Sequence, residues 1–404
     1  MKKSFSLAML SVFFGLAASV FAADEAKPTP PDAKASSQAV DRAIQYLTAK
    51  GQAEDGSFTA QAGPGVTAIV VTGILSQGRS PDDPVVAKAL KYLEKFIQPD
   101  GGIYEPKNFY KNYETCLGLM AFSAAGRGGK NEQFVKIVKN AEKFLKDIQW
   151  DERQSQDQAS AYYGGAGYGK SKRPDLSNTQ FLLDALKTAG AGPEDPAVKK
   201  ALIFVSRCQN LETEHNTTPF AAKNPDGGFY YTPAAGGQSQ AAPTLPNGGL
   251  RSYGSMTYAG LKSMIYAGVS PDDARVKAAI KWIQQNYDLK SNPGMSKPEE
   301  GLYYYYHTFA KALDAVGKPE LIDAKGVKHD WRQELTAELI RRQKADGSWV
   351  NGADRWMEGD PNLVTAYALL SLSYCKPANH PSPFPLRETG RGDDIPGFGM
   401  GIGR

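Results

Sequence analysis

Apolar positions along the chain follow two kinds of helical pattern that alternate. In the first kind, apolar residues recur at three- and four-residue spacing and leave a polar face, as in "KALKYL" from Lys88 and "KALIFV" from Lys200. In the second kind nearly every position is apolar, as in "VTAIVVTGIL" from Val66 and "VTAYALLSL" from Val364. The first pattern predicts amphipathic helices with one buried stripe, and the second predicts helices surrounded by protein.

The two patterns form six successive pairs. The amphipathic members begin near Arg42, Lys88, Asn140, Lys200, Lys277 and Trp331. Each apolar member carries a threonine near its start, and these are Thr67, Thr115, Thr179, Thr257, Thr308 and Thr365. A hydroxyl in the first turn of a helix can satisfy backbone N–H groups, so we interpret the threonines as structural. Regular recurrence of one supersecondary unit indicates a repeat fold.

A glycine turn separates the two helices of most pairs. It is preceded by a glutamine, as in Gln209 and Gln343, and usually contains Asp-Gly. The clear examples are at Gly56, Gly101, Gly227 and Gly347, with looser versions at Gly164 and Gly301. Glycine supplies the positive φ of a sharp reversal and aspartate hydrogen-bonds the adjacent backbone, so this punctuation predicts architecture rather than chemistry.

Six helix pairs, each with one apolar and one amphipathic member, favour an all-α, single-domain α6/α6 toroid over residues 38–376. The apolar helices would form the inner of two concentric rings, and the amphipathic helices would face solvent. An open solenoid of helix pairs is the alternative architecture.

Both ends of the chain differ from the repeats. Residues 1–22 combine two lysines, an apolar stretch and small residues before Ala22, which predicts a signal peptide and an exported, periplasmic or extracellular protein. The apolar run is too short for a membrane span, so the mature chain is expected to have no transmembrane segment. Residues 23–37 are predicted to be a linker, and the Pro/Gly-rich residues 377–404 a disordered tail.

Composition narrows the range of partners. The net charge is only +4, and no dense basic cluster is interleaved with aromatic residues, which excludes a typical nucleic-acid-binding protein. Cys116, Cys208 and Cys375 are widely spaced in helical segments and are expected to be buried thiols.

The repeat resembles that of the squalene cyclase and protein prenyltransferase superfamily. Lys200, Ala201, Phe204, Val205 and Gln209 match the first half of the superfamily repeat in register. Its second half, Gln, then Gly-x-Trp, is matched by Gln343, Gly347 and Trp349. The resemblance implies an α/α toroid with a deep aromatic-lined cavity in which isoprenoids bind.

The catalytic strings of that superfamily are not present. The chain has neither the Asp-x-Asp-Asp acid of class II cyclases nor the Asp-Cys-Thr-Ala-Glu string of oxidosqualene cyclases. His307 matches the zinc-binding histidine of protein prenyltransferases, but Arg251 and Tyr253 stand where the Asp and Cys ligands belong. One imidazole does not make a zinc site, so no metal or other cofactor is expected.

The superfamily counterpart of His307 faces the cavity. Because His307 directly precedes a repeated threonine, the residue before each of the other repeated threonines is expected to face the cavity as well. This set contains Glu114 and His307. An apolar cavity would raise the pKa of Glu114, so that it could act as a proton donor, and His307 could be its base or partner. The remaining predicted cavity residues are Asn178, Arg251, Tyr253, Met256, Tyr113, Tyr306 and Trp349. The alternative is that Glu114 and His307 are satisfied polar groups at helix starts.

Three functions are compatible with these residues. The first is binding of a hydrophobic or isoprenoid-like small molecule, with terpenoid cyclase-like acid chemistry. The second is a ligand-binding or scaffolding toroid without catalysis. The third, glycan hydrolysis, requires two facing carboxylates, and only Asp184 is a candidate partner for Glu114.

Overall fold

The computed structural model describes residues 33–127, 131–169, 173–241 and 243–376. The predicted signal peptide and C-terminal tail lie outside the described residues. The α-helices are α1 (Ala33–Tyr46), α2 (Pro64–Ser76), α3 (Pro84–Glu94), α4 (Lys111–Ala125), α5 (Glu132–Ile148), α6 (Leu176–Ala189), α7 (Pro196–Arg207), α8 (Gly254–Tyr266), α9 (Ala274–Gln285), α10 (Leu302–Val316), α11 (Trp331–Arg342) and α12 (Pro361–Tyr374). A two-stranded ribbon of β1 (Leu321–Ile322) and β2 (Lys328–His329) precedes α11.

The alternation of amphipathic and apolar helices is confirmed. Every residue of α2 is buried, whereas α5 buries only Ile137, Ala141, Phe144 and Leu145. The odd-numbered helices are the amphipathic members and the even-numbered helices the apolar ones, so the protein is all-α as predicted. Within the described ranges, no helix combines the length and the apolar character needed to cross a membrane.

The even-numbered helices contact one another in chain order. Helix α2 packs on α4, α4 on α6, α6 on α8, α8 on α10 and α10 on α12. Helix α12 then packs on α2, and α11 packs on α1, so the last helix pair contacts the first.

The turn glycines hold neighbouring repeats together. Gly347 has φ of 92°, and a Cβ at this position would collide with the backbone carbonyl oxygen of Arg42 in α1. A Cβ at the equivalent glycines would collide in the same way with a backbone carbonyl of the next amphipathic helix: Gly56 with Lys88, Gly101 with Asn140, Gly164 with Lys200 and Gly227 with Ala278. Glycine is therefore required twice over at this position, for its positive φ and for the close approach of the next amphipathic helix.

The glutamine that precedes the turn joins the same elements by hydrogen bonds. The side chain of Gln343 donates to the carbonyls of Gly347, at 2.9 Å, and Ala39, at 2.8 Å. Gln209 donates to Gly227 and Arg275 in the same way. One amide thus fixes the turn and the following helix, which explains why the glutamine recurs.

The repeated threonines are structural, and their partner is the turn. The hydroxyl of Thr365 accepts a hydrogen bond of 3.1 Å from the backbone N–H of Trp349, the residue that follows the turn. Thr67, Thr115, Thr179 and Thr257 accept from Phe58, Ile103, Ala166 and Phe229. A buried N–H that helix and turn leave without a partner is satisfied in this way.

The fifth pair departs from the predicted register. Thr308 is the seventh residue of α10, whereas the other five threonines are the fourth or fifth residue of their helices. Its hydroxyl instead donates to the carbonyl of Tyr305, at 3.0 Å. Gly301 is the residue that caps α10 at its start, with φ of 68°, and does not form a turn after α9. Thr308 and His307 therefore do not correspond to the threonine pairs of the other repeats.

The first helix begins earlier than predicted. Residues 33–37, which we placed in the linker, are the first turn of α1. The stretch after Pro31 contains no further proline, and Ala39 and Ala43 of the same helix are fully buried, so the helix extends back from its packed face.

Candidate functional site

Four aromatic side chains from four even-numbered helices meet where the inner faces of those helices converge. Tyr113 of α4 and Phe181 of α6 make an edge-to-face contact with ring centroids 5.2 Å apart. Phe181 lies 6.1 Å from Tyr304 of α10, and Tyr304 lies 5.9 Å from Tyr367 of α12. We call these four residues the central aromatic cluster.

One side of this cluster is open to solvent. Tyr113, Tyr304 and the neighbouring Ser177 are half-buried, whereas Phe181 and Tyr367 are buried. The three half-buried residues are the second or third residue of their helices. The accessible side of the cluster is therefore the end at which α4, α6 and α10 begin.

Polar groups continue from this accessible side into the interior. The hydroxyl of Tyr304 lies 3.0 Å from that of Ser177 and accepts a hydrogen bond of 3.2 Å from the side chain of Gln180. The carbonyl oxygen of the same Gln180 side chain accepts a hydrogen bond from the Lys262 ammonium group. A continuous chain of hydrogen bonds thus leads from the accessible hydroxyls to a buried lysine.

The chain ends at three charged side chains, which we call the central ion cluster. The two oxygens of Asp184 accept from Lys262 of α8, at 2.6 Å, and Lys311 of α10, at 2.7 Å. All three are almost completely buried. Asp184 and Lys262 are the ninth residues of their helices and Lys311 is the tenth, so α6, α8 and α10 run in the same direction at matching depth.

Burial and pairing act in opposite directions on these charges. Burial alone would raise the pKa of Asp184, but the two ammonium groups outweigh it and hold the pKa below its usual value. For Lys262 burial prevails and lowers the pKa to about 7, although Asp184 favours the charged form. The aspartate is therefore ionised at neutral pH, while Lys262 is balanced between its two protonation states.

His307 lies one turn from this cluster, on the same face of α10. Its ring is 5.8 Å from that of Tyr367, and its Nδ1 atom has no hydrogen-bond partner among the described residues. Burial, reinforced by Lys311, lowers the pKa of His307 to about 3. The imidazole is neutral at physiological pH and too weak a base for the predicted role as proton acceptor.

Glu114 uses both of its carboxylate oxygens in local hydrogen bonds. One oxygen accepts from the backbone N–H of Glu105, at 2.9 Å, and the other from the side chain of Asn108, at 2.6 Å. Burial raises the pKa of Glu114 to about 7, although these donors favour the ionised form. The carboxylate organises the loop before α4, and none of its hydrogen-bond partners is His307.

Asn178, Tyr253 and Met256 are buried at or near the starts of α6 and α8. The side chain of Asn178 donates to Asp175, at 2.9 Å, and accepts weakly from Asn112. Tyr253 is the residue that caps α8. The contact between Asn178 and Asn112 links the starts of α6 and α4.

Three predicted cavity residues have their hydrogen-bond partners in α11 or in loops. The indole of Trp349 donates to the carbonyl of Leu339, at 2.7 Å, so this side chain packs against α11. The hydroxyl of Tyr306 donates to the carbonyl of Leu289, in the loop before α10. Arg251 donates to Pro243 in the long loop before α8. Backbone carbonyls thus supply the hydrogen-bond partners of these three side chains, and their place in a cavity stays a prediction.

Most of the residues in the central aromatic cluster and the central ion cluster were not predicted from the sequence. The exceptions are Tyr113, which was a predicted cavity residue, and Asp184, which was a suggested partner of Glu114. A usable signal existed, because Asp184 and Lys262 each follow their repeat threonine by five residues inside an otherwise apolar helix. Lys311 follows Thr308 by three, and the different register of the fifth pair concealed its equivalence.

The chain is similar in structure to a type II terpene cyclase, MstE from Scytonema. The apo enzyme aligns with a TM-score of 0.51 and 13% identity over 85% of this chain and 98% of the cyclase chain. A variant in complex with its product, merosterolic acid A, gives 0.50 and 13% over 84% and 97%. A second, apo variant gives 0.50 and 14% over 85% and 96%.

No protein-family model and no curated protein matches the sequence. The structural similarity shows a terpenoid cyclase-like fold and confirms the resemblance that the repeat predicted. At this level of identity it shows the fold alone.

Proposed function

We propose that this protein is an α/α toroid, with the even-numbered helices as its inner ring, that binds an isoprenoid-like hydrophobic ligand against the central aromatic cluster. The observation that carries the proposal is the meeting of Tyr113, Phe181, Tyr304 and Tyr367 from four helices, with a solvent-accessible side. Concave sites lined by aromatic faces with a few polar groups suit apolar ligands.

Binding is favoured over acid chemistry. A general acid must present its proton to the substrate, but both oxygens of the Glu114 carboxylate accept hydrogen bonds from its own loop, and these donors favour the ionised form that has no proton to give. His307 is neutral and lies near the ion cluster rather than among the partners of Glu114. The structurally similar terpene cyclase MstE binds its product, merosterolic acid A, and this shows only that such a fold can hold a ligand.

Glycan hydrolysis is disfavoured by the partners of Asp184. A glycosidase needs two carboxylates that flank one bond, one of them protonated. Asp184 is paired with two lysines and is ionised, and neither lysine is a partner of Glu114. We therefore retain the binding function.

We further propose that the protein is exported after cleavage near Ala22, as the N-terminal sequence predicts. N-terminal sequencing of protein secreted by its native host tests this. A chain that retains Met1 would contradict it.

The binding proposal is tested with farnesol, a neutral isoprenoid alcohol, by isothermal titration calorimetry. Replacing Tyr304 by leucine should weaken binding by about tenfold, because aromatic contacts of this kind contribute about 1 kcal/mol beyond area burial and the hydroxyl is also lost. Tyr162→Leu is the matched control, since Tyr162 is half-buried but packs against Trp150 in the connection between α5 and α6.

Farnesol recovered from the protein should be chemically unaltered by gas chromatography. A cyclised or isomerised product would favour the acid-chemistry alternative instead. No measurable binding, or equal weakening by Tyr304→Leu and Tyr162→Leu, would contradict the proposal.

A further inference from the structure

The central ion cluster carries a surplus of positive charge. Lys262 and Lys311 share the single carboxylate of Asp184, so with both lysines protonated the three side chains have a formal charge of +1. Burying a charge without a counter-charge costs several kcal/mol, which is why buried charges in proteins are normally paired.

Among the described residues, the other ionisable groups near the cluster supply no unpaired negative charge at neutral pH. Burial raises the pKa values of Cys116 on α4, Tyr266 on α8 and Tyr374 on α12 well above their usual range. Lys187 on α6 is a further positive group, and His307 is neutral. Asp314 lies one turn after Lys311 on α10, and its charge is offset by Arg332 at 2.9 Å.

A second observation points to a ligand in the same place. His307 is almost completely buried, lies one turn from Lys311, and has an Nδ1 atom without a hydrogen-bond partner among the described residues. Buried polar atoms of native proteins are normally hydrogen-bonded. A neutral imidazole can carry its proton on Nδ1 and donate it to an anion beside Lys311.

The cluster is connected to the accessible side of the aromatic residues. Only the side chain of Gln180 stands between Lys262 and the hydroxyl of the half-buried Tyr304 in the hydrogen-bond chain. The Gln180–Tyr304 contact is a neutral hydrogen bond of 3.2 Å, which contributes only about 1 kcal/mol. A charged acceptor that enters from the aromatic side can replace it at low cost.

We propose that the ligand of the central aromatic cluster is an anionic amphiphile, whose carboxylate or phosphate head group binds between Lys262 and Lys311. The proposal rests on the proposed function, because it identifies the chemical class of the ligand at that same site. The apolar chain packs on the four aromatic rings, and the negative head group offsets the formal charge of +1 that the three side chains carry when both lysines are protonated. The two lysines then share a second anion beside Asp184, and the Nδ1 atom of His307 gains an acceptor.

Three probes with the same fifteen-carbon chain separate the contributions: farnesol, farnesoic acid and farnesyl phosphate. Their affinities are measured by calorimetry at pH 6.5 with the full chain. The two anionic probes should bind about tenfold or more tightly than farnesol, because a hydrogen bond to a charged group contributes about 1.5–3 kcal/mol. A preference between the two anions identifies whether the natural head group is a carboxylate or a phosphate.

Lys262→Met and Lys311→Met each leave one neutral Lys–Asp pair, so both variants are expected to fold. Either should reduce the preference for the anions over farnesol to within about threefold. Lys277→Met removes the same charge from an exposed position paired with Asp272 and should leave the preference intact.

The outcomes separate the two proposals. If no probe binds, the proposed function itself fails. If farnesol binds as tightly as the two anions, or if both methionine variants keep the preference for the anions, the inferred head-group site is wrong and the hydrophobic site stands. A preference that Lys277→Met also removes reflects net charge and contradicts the head-group site.

Discussion

Asp184 on α6 and Lys311 on α10 form an ion pair of 2.7 Å between two helices that have α8 between them in chain order. Lys262 of α8 binds the other oxygen of the same carboxylate. Three apolar helices are therefore tied together by charges rather than by hydrophobic packing alone. Buried ion pairs add little net stability but fix how their elements are arranged, so this cluster specifies the register of α6, α8 and α10.

Lys262 should make the stability of the protein depend on pH above neutrality. Its pKa is about 7 in the folded protein and near 10.5 in the unfolded chain, so between these values the unfolded chain binds more protons. The free energy of unfolding contributed by this group should therefore rise as the pH increases from about 7 towards 9.5. Lys262→Met should abolish that rise in urea unfolding experiments.

Lys277→Met is the control, because Lys277 is exposed. It should show the same rise with pH as the original protein. Lys187, whose pKa is also lowered by burial, contributes a smaller rise in both proteins. A rise of undiminished size in Lys262→Met would therefore mean that Lys262 stays charged in the folded protein.

Contact between the last and first repeats should depend on Gly347. Alanine at this position would have to adopt φ of 92° and would collide with the carbonyl of Arg42. We expect Gly347→Ala to lower the free energy of unfolding by about 2 kcal/mol or more. Gly352→Ala, at an exposed glycine with no atom within 4 Å of the added Cβ, should change it by about 0.5 kcal/mol or less.

Equal losses in the two alanine variants would contradict the packing of the final turn against α1. Thermal unfolding followed by circular dichroism is sufficient to compare them.

The repeated threonines should differ in importance. Thr365→Val removes the acceptor for the buried N–H of Trp349 and should cost about 1–3 kcal/mol of unfolding free energy. Thr308→Val removes only a hydroxyl that donates to a carbonyl of its own helix, so about 1 kcal/mol or less is expected. If chemical denaturation shows the two variants to be equally destabilised, the altered register of the fifth repeat is wrong.

Glu114 should affect the stability of the protein without affecting its affinity for the ligand. Its pKa is raised from 4.5 to about 7, so the folded protein binds more protons than the unfolded chain in this range, and the contribution of Glu114 to stability falls as the pH rises through it. Glu114→Gln should remove that fall in unfolding experiments between pH 4.5 and 7. Its affinity for farnesol should stay within about twofold, and farnesol should be recovered unaltered from both proteins.

A loss of binding in Glu114→Gln would place this carboxylate in the ligand site. Turnover of farnesol by the original protein that disappears in the variant would support the acid chemistry that we disfavour.

The helical fold could be predicted from the sequence because the residues that determine each helix and turn lie close together in the chain. The buried and amphipathic stripes identify the two kinds of helix, and the Gln and Gly positions recur because both contact the next repeat. The fifth repeat was misaligned because residues 286–301 form a long connection, in which Gly301 caps α10 instead of forming the turn.

The centre of the site was harder to predict because it is made of contacts between distant helices. Phe181, Tyr304 and Tyr367 are far apart in the chain, and no local pattern indicates that their rings meet. Charged residues inside apolar helices, such as Asp184 and Lys262, are the one sequence feature that marked this region. The indole of Trp349, by contrast, has its hydrogen-bond partner in the neighbouring helix α11.

Photoaffinity labelling tests the central claim most directly, because it identifies where an isoprenoid chain lies. A farnesyl probe with a diazirine on its terminal isoprene unit is bound to the protein and irradiated. The labelled peptides are then identified by mass spectrometry. We expect labels on the peptides that contain Tyr113, Phe181, Tyr304 and Tyr367, suppressed by excess farnesol. Labelling confined to the amphipathic helices, or to the apolar groove between α8 and α9 lined by Ile265 and Ile280, would contradict the account.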